Sequence, residues 1–398
     1  MLSWLSSLES GYLVGLYCSD VSGAFDKVSE ERLSDKLRRL GLHPQIFGLL
    51  LSWLEPRTSV VVVDGECSEK KALKNSVYQG TVLGPPLWNL HFSDAQVAVR
   101  NAGFSEVVFA DDLNCSRNFQ KGTQQSVVER SLEECQAELH HWGSANQILF
   151  DAGKESFHCI HRTQFFGENF KILGVSFDCQ LTMEAASREV SQDAGWRLRT
   201  LLRCRRFFSI GKLVFLYKAQ ILTFIESRTS ALHHAAPSVL NTIDRVQRRF
   251  LREINVSELE AFKSFNLAPL RVRRDISMLG LLYRIAHGLA PNALAALFPR
   301  QIERSFPTRG ARHDLQFLDF VQQGGHTEVF RRSCFGLATI WNMLPMDIAR
   351  AKSVKDCQKR IQLACLTWAQ SNPDKDWAHF LLKDARRMPL YQFQCLFR

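Results

Sequence analysis

No apolar run in this 398-residue chain approaches the roughly 20 residues that a membrane-spanning helix needs; residues 49–51 and 60–63 are typical of the short runs present. The first residues offer no basic segment ahead of an apolar core and no convincing cleavage site, so a secreted product is not expected. Eleven cysteines are scattered without a single Cys-x-x-Cys pair. That argues against a disulfide framework or a zinc site, and it fits a reducing intracellular compartment, nucleus or cytoplasm. Internal repeats and low-complexity tracts are also missing.

What is present is a globular balance, with 45% hydrophobic and 23% charged residues, at a length that predicts two or three domains. The charge is uneven. Residues 1–150 hold 13 Lys and Arg against 18 Asp and Glu, a net of −5, while the remainder holds 37 against 22, a net of +15. An acidic first part joined to a basic remainder points to a polyanionic partner, with the acids reserved for another task such as metal binding. From charge alone, a solvated basic surface is the alternative.

Residues 13–20 (LVGLYCSD) read as a buried strand ending on Asp20. Ser29 can cap the following helix, with Glu30 and Glu31 in its first turn, Leu33, Leu37 and Leu40 on one apolar face, and Gly41 as its stop. Pro44 suits the first turn of a next helix carrying Ile46, Leu49, Leu50 and Trp53. The β-branched run 60–63 ends at Asp64-Gly65, a hairpin signal. Residues 107–110 form a short apolar strand leading into Asp111-Asp112, and residues 129–142 have helical spacing, with Leu132, Cys135, Leu139 and Trp142 on one side. Residues 157–160 and 170–175 are two further strands by the same reading. From about residue 181 helical patterns dominate and arginines cluster: Arg197, Arg199, Arg203, Arg205 and Arg206, then Arg245, Arg248, Arg249 and Arg252, then Arg271, Arg273 and Arg274. Residues 291–307 read as a linker.

The sharpest local feature is Phe109-Ala110-Asp111-Asp112, two adjacent acids at the turn of an expected β-hairpin. Neighbouring carboxylates repel unless a cation sits between them. Taken alone, such a pair is more often a hydrated turn. Asp20 changes that reading, because it ends a separate strand and can converge with Asp111 at one end of a sheet. Carboxylates from two strands can bridge divalent ions about 3.5–4 Å apart, and Mg²⁺ prefers a few carboxylates plus phosphate oxygens. One ion would activate a 3′-hydroxyl and the other would stabilise departing pyrophosphate, which is nucleotidyl transfer. Between these acids, Gln79-Gly80-Thr81-Val82-Leu83-Gly84-Pro85 allows close backbone approach and offers an uncharged hydrogen-bonding side chain; on its own it is a glycine turn.

In order and spacing, Asp20…Phe25-Asp26, then Gln79 to Pro85, then Phe109 to Asp112 resemble the palm of a reverse transcriptase, specifically that of non-LTR (LINE-type) retrotransposons. The resemblance continues through Trp142…Asn146, Gly153-Lys154 and Phe170 to Val175, then Arg273-Arg274-Asp275…Met278-Leu279-Gly280 and Arg331-Arg332-Ser333…Trp341 to Pro345. It implies an α+β fold, with an antiparallel palm sheet and packed helices over residues 1–180, a helical basic thumb over 181–300, and a small helical C-terminal extension over 301–398. It implies that Asp20 and Asp111 hold two Mg²⁺ ions, with Mn²⁺ as a substitute, and that Asp112 supports them. Phe25 would be the steric gate beneath the deoxyribose, and Gln79 and Gly80 would contact the deoxynucleoside triphosphate. Lys154 would be the acid for pyrophosphate, unless it is an ordinary surface lysine, and residues 170–175 the primer grip. Arg197, Arg203, Arg205, Arg206, Arg248 and Arg249 would contact the RNA template and DNA primer, since guanidinium binds phosphate bidentately. Trp196 and Phe207 interleave with these arginines; such aromatics can stack on bases, but at helical spacing they are more often in the core.

The sequence departs from the family pattern in places. Only 19 residues precede Asp20, so the family's basic fingers region is expected to be missing and the chain to be N-terminally truncated. Tyr78 stands where Pro usually precedes the Gln, Thr81 replaces the commoner Ser, and no CCHC knuckle follows. The expectation is RNA-templated DNA synthesis, with a catalytically inert, nucleic-acid-binding remnant of such an element as the alternative.

Overall fold

The computed structural model describes residues 1–55, 57–73, 77–301, 313–318 and 326–371. They fall into two compact units, Gly11–Glu168 and a second made of Met1–Ser10 with Asn169–Arg398. No helix among the described residues is long and apolar enough to cross a membrane.

The first unit is built on an antiparallel sheet of four strands, β1 (Tyr12–Asp20), β2 (Ser105–Phe109), β3 (Asp112–Gln120) and β4 (Ser156–Ile160), in the order β2-β3-β1-β4. β1 is central and buried along almost its whole length, which is why its sequence is nearly continuous in apolar residues rather than alternating. Leu13 and Tyr17 enter one apolar core with Val128, Leu132, Cys135 and Leu139, the expected face of a helix that spans Gln125–Asn146. Gly15 lies on that same face of β1; a Cβ there would come within 2.7 Å of the Phe119 ring, so only glycine lets the ring lie flat on the strand.

Among the described residues of this unit, four α-helices precede that one, α1 (Glu30–Arg39), α2 (Pro44–Leu54), α3 (Gly84–Phe92) and α4 (Ala95–Asn101), so Gln125–Asn146 is labelled α5. Ser29 caps α1 as its sequence indicates, its hydroxyl oxygen accepting from the Arg32 N–H at 3.4 Å, and Leu33 and Leu37 are buried. Leu40 is not: it is the C-cap, already turned away from the face it was expected to extend. Ile46 and Leu49 of α2 are likewise exposed, and Leu54 carries the burial instead. Asp64 and Gly65 take positive φ values of 51° and 88° in the two-residue turn joining Val62–Val63 to Glu66–Cys67, the mirror-image turn that suits strand twist.

In the second unit, β5 (Phe170–Ile172) and β6 (Val175–Phe177) form a hairpin whose turn, Leu173-Gly174, has positive φ at both residues. Phe170 and Phe177 stack at 5.7 Å, and Trp4 of the helix Leu2–Glu9 meets both edge-on at 6.4 and 6.2 Å. The rest of its described residues are mainly helical, led by α6 (Glu184–Arg203), α7 (Pro237–Glu253), α8 (Leu270–Ala286), α9 (Cys334–Asn342) and α10 (Val354–Ser371). α6 and α7 are pinned by Ser187 donating to the Val239 carbonyl at 2.8 Å and Ser191 to that of Thr242 at 3.0 Å.

The division differs from the expected boundaries at 180 and 300. The hairpin joins the second unit because its aromatics pack on Trp4, and the described part of 301–398 joins the helices before it. The Tyr283 hydroxyl of α8 donates to the Ala351 carbonyl at 2.6 Å and its ring meets Trp341 of α9 at 6.3 Å. Nor are residues 291–301 a linker: Asn292–Ala295 is a helical turn, and Phe298 is buried against Phe335 with ring centroids 4.8 Å apart. The rest of that expected linker, residues 302–307, lies outside the described residues.

Candidate active site

The three acids meet at one end of the sheet. Asp20, the last residue of β1, is the cross-strand partner of Asp112, the first of β3. Directly opposite residues in an antiparallel pair share a face. Asp111 precedes them in the two-residue turn Ala110-Asp111 between β2 and β3. Ala110 takes φ 56°, a left-handed conformation uncommon outside glycine, and the Trp88 indole N–H of α3 donates to its carbonyl at 2.8 Å. An indole from a separate helix thus holds the turn that carries the acids. Burial first, then the negative charges of Asp20 and Asp111, push the Asp112 carboxyl above its usual range.

Lys154 answers this charge. Its ammonium lies 2.5 Å from Asp20 Oδ2 and 3.7 Å from Asp151, and the Asp151 N–H donates to the Asp20 carbonyl at 3.0 Å. The hydrogen bond and charge of Asp20, with a smaller contribution from Asp111, hold the Lys154 ammonium above its ordinary pKa, so it stays protonated. The next residue, Glu155, has a side chain only 6% exposed. It accepts from the Tyr17 hydroxyl, from Gln136 at 2.9 Å and from Ser19 at 3.4 Å, and pairs with His140 at 2.8 Å. Burial would raise its carboxyl, but the bonds from His140, Tyr17 and Gln136 outweigh that and hold it low. Sequence reasoning missed Glu155 and Trp88, since their partners lie far away in the chain.

Phe25 opens a short 3₁₀ turn and packs half-buried, its ring stacked on Trp88 at 5.9 Å. The Gln79-Gly80 loop folds beside it: Val77 N–H donates to the Phe25 carbonyl at 2.8 Å, and the place of a Gly84 Cβ is only 3.4 Å from the Phe25 ring. Gln79 and Gly80 are exposed, and Gly80 has φ 78°. Thr81 closes the loop by donating to the Tyr78 carbonyl at 2.7 Å and accepting from Gly84 N–H at 3.1 Å. Tyr78 in turn docks its ring edge-on against Trp53 at 5.3 Å and its hydroxyl on the Glu55 carbonyl at 3.1 Å.

Among the described residues, no three His, Cys, Asp or Glu side chains gather into a ready metal cage. The donor chemistry still fits a hard divalent cation: three carboxylates at one sheet end, one of them raised by its neighbours, with a lysine as counter-ion.

The arginines divide. Arg205 pairs with Glu253 at 2.6 Å, Arg248 donates to Asn241, and Arg206 lies over Phe207 at 4.8 Å. Arg197 lies over Phe224 at 4.2 Å, Arg203 is exposed, and Arg249 lines a groove between α6 and α7. Of the third cluster, Arg273 pairs with Glu226 at 2.5 Å and buried Arg274 with Asp244 in a two-pronged bond of 2.7 and 2.9 Å; both brace the helices. Trp196 is 63% exposed, because the apolar stripe of α6 runs through Val190, Ala194, Leu198 and Leu201 instead, and Phe207, 68% exposed, lies beyond α6 in the 3₁₀ turn Arg205–Phe207.

Residues 9–177 match the family described as "Reverse transcriptase (RNA-dependent DNA polymerase)". They form a reverse transcriptase domain. The chain is 27% identical over 273 residues to the RNA-directed DNA polymerase from mobile element jockey of Drosophila funebris, covering 63% of this chain and 29% of that one. It is 30% identical over 152 residues to the Retrovirus-related Pol polyprotein from type-1 retrotransposable element R1 of Bradysia coprophila, covering 38% and 14%. The reverse transcriptase domain therefore resembles those of non-LTR elements, as its motifs indicate, and is by resemblance a nucleotidyltransferase. The chain spans less than a third of the length of these curated relatives. A solved telomerase structure from Candida albicans aligns over 63% of this chain and 48% of its own, at 13% identity and a TM-score of 0.34, too low a likeness to carry an argument.

Proposed function

We propose that the chain is the polymerase region of a non-LTR element and adds deoxynucleotides to a primer 3′-hydroxyl under the direction of an RNA template. The observation that carries this reading is the pairing of Asp20 with Asp112 beside the Asp111 turn, with the Asp112 carboxyl raised by burial and by the other two acids. Two divalent ions, Mg²⁺ or Mn²⁺, held by Asp20 and Asp111 with Asp112 in support, would supply the charge that activates the hydroxyl and stabilises the leaving pyrophosphate. Lys154, kept protonated by Asp20, then carries a proton at Nζ that the departing pyrophosphate can take. Glu155 fixes the chain on which Lys154 sits. Phe25, braced by Trp88, presents a ring edge that a 2′-hydroxyl would strike, and the exposed Gln79-Gly80 segment meets the nucleotide. The helices from residue 181 serve as the thumb, their unpaired arginines contacting template and primer.

The test is primer extension on an RNA template with deoxynucleoside triphosphates and Mg²⁺, comparing the chain with Asp111→Asn. Losing one charged ligand removes several kcal/mol of transition-state stabilisation. A loss of about 3 kcal/mol is a drop of at least about 100-fold. Extension that survives Asp111→Asn unchanged refutes this assignment of the catalytic centre.

A further inference from the structure

The face of α6 around Trp196 carries an arrangement more specific than arginines contacting template and primer. Trp196 is 63% exposed, a large aromatic off the buried apolar stripe of α6. It borders an open groove of about 660 Å³ with Arg197, Thr200, Gln220, Phe224 and Arg228. The guanidinium groups of Arg197 and Arg228 both lie over the Phe224 ring, 4.2 and 3.9 Å from its centroid. Their hydrogen bonds go to neutral groups: Arg197 to the Gln220 carbonyl at 3.3 Å, Arg228 to the Phe224 carbonyl at 2.9 Å and the Ser227 hydroxyl at 2.8 Å. Neither has a carboxylate partner among the described residues. Two like charges gathered about one ring repel, and an anion nearby relieves that cost. Gln220 itself lies in the π-helical turn Lys218–Leu222, a wide turn of the kind that recurs at functional sites.

A second groove, of about 360 Å³, runs between α6 and α7. Arg199, Arg245 and Arg249 line it, again with no carboxylate partner among the described residues. Gly195 keeps its floor open, with nothing within 4 Å of where its Cβ would stand. Trp196 and Arg199 are three residues apart and so neighbours on the helix surface, which joins the two grooves along α6.

We propose that this face is a binding track for a single strand of RNA, with one unpaired base stacked on Trp196 and the backbone phosphates resting on the arginines to either side. Five unanswered guanidiniums call for a polyanion, and an exposed indole between them offers a platform for an unstacked base, which a closed duplex does not present. The choice of RNA over DNA rests on the polymerase reading above; the choice of a single strand rests on the indole.

The test uses the full chain and a fluorescently labelled RNA oligomer, with affinity read by anisotropy at several salt concentrations. Trp196→Ala, at an exposed position that leaves the thermal melt unchanged, should weaken single-strand binding about 5- to 150-fold without altering the salt slope. An oligomer abasic at every position should bind the unaltered chain as weakly as the full oligomer binds Trp196→Ala. A blunt duplex should not register the substitution. Converting Arg199, Arg245 and Arg249 together to Gln should reduce the slope of log K against log salt by about 2, at about 0.7 per phosphate on a single strand. Equal affinity of Trp196→Ala and the unaltered chain overturns the proposal, as does equal binding of abasic and base-bearing oligomers. Competition by an acidic peptide as effective as that by RNA of the same charge overturns it too, and assigns the face to protein. Asp111→Asn separates the two readings: it should abolish extension at full RNA affinity, so that either can fail without the other.

Discussion

At the end of the sheet, negative charge is gathered and answered from inside the chain; along α6 and α7, positive charge is gathered and left unanswered. Lys154 sits on Asp20, and Glu155 beneath it is closed off by four donors. Arg199, Arg245 and Arg249 face open space. The contrast repeats inside the second unit, where Arg273 and Arg274 come from the same arginine-rich texture and are consumed by Glu226 and Asp244. Charge that a fold neutralises internally is architecture or a poised site; charge left open waits for something from outside.

The largest way to break that comparison is at the buried pair. Arg274→Met strands Asp244, and removing one partner of a buried pair costs about 3–5 kcal/mol. The lower figure is expected here because Asp244 keeps 22% of its side chain exposed. A urea midpoint shows the loss, and adding Asp244→Leu should recover most of it, whereas Arg249→Met should leave the midpoint in place.

A second change concerns the choice of sugar. Phe25→Ala opens the space that the ring fills against Trp88, and incorporation of ribonucleotides relative to deoxynucleotides should rise about 10- to 100-fold, the range a single hydroxyl commands in an apolar pocket. An unchanged ratio removes Phe25 from the gate.

Acid should find the sheet-end network next. Because the Glu155 carboxyl is held below its usual range, its contribution to stability is present above pH 4.5 and is lost as pH falls through its lowered value. Glu155→Gln should remove that part of the acid sensitivity, read as urea midpoints at pH 6 and pH 3, and should lower primer extension through Lys154 at neutral pH. Equal acid sensitivity in the two proteins contradicts the network's role.

The smallest effect sharpens the comparison among the arginines themselves. Neutralising Arg203, Arg205 and Arg206 should flatten the salt dependence of RNA binding less than neutralising Arg199, Arg245 and Arg249, because Arg205 already spends its charge on Glu253 and Arg206 lies on Phe207. Equal flattening means that the open and the engaged arginines are equivalent.

What the sequence made legible was local. The Ser29 cap, the Asp64-Gly65 turn, the apolar face of α5 and the strand that ends on Asp20 each follow from residues within a few positions of one another. The hairpin that sets Asp111 and Asp112 was legible for the same reason. Glu155 was not, because Tyr17 lies 138 residues away and no spacing announces the bond. For Trp196 the exposed alternative holds over the core one, because helical period fixes which residues share a face, while only the neighbouring helices decide which face is covered. The short helical turn and buried Phe298 within residues 291–301 were hidden by Pro291 and Pro299, since proline serves turns in either setting.

One indole joins two jobs. Trp88 carries the Phe25 ring on its face and the Ala110 carbonyl on its N–H, so the residue proposed to inspect the sugar and the turn that presents the acids share a single brace. Substitutions at the two ends should therefore be epistatic, their effects departing from a simple sum as they do when residues share a partner. In evolutionary terms, a lineage drifting toward a looser sugar preference at Phe25 disturbs the seat of the catalytic turn at the same step. The viable routes are those in which Trp88 stays put and change arrives first from the exposed side, through Gln79.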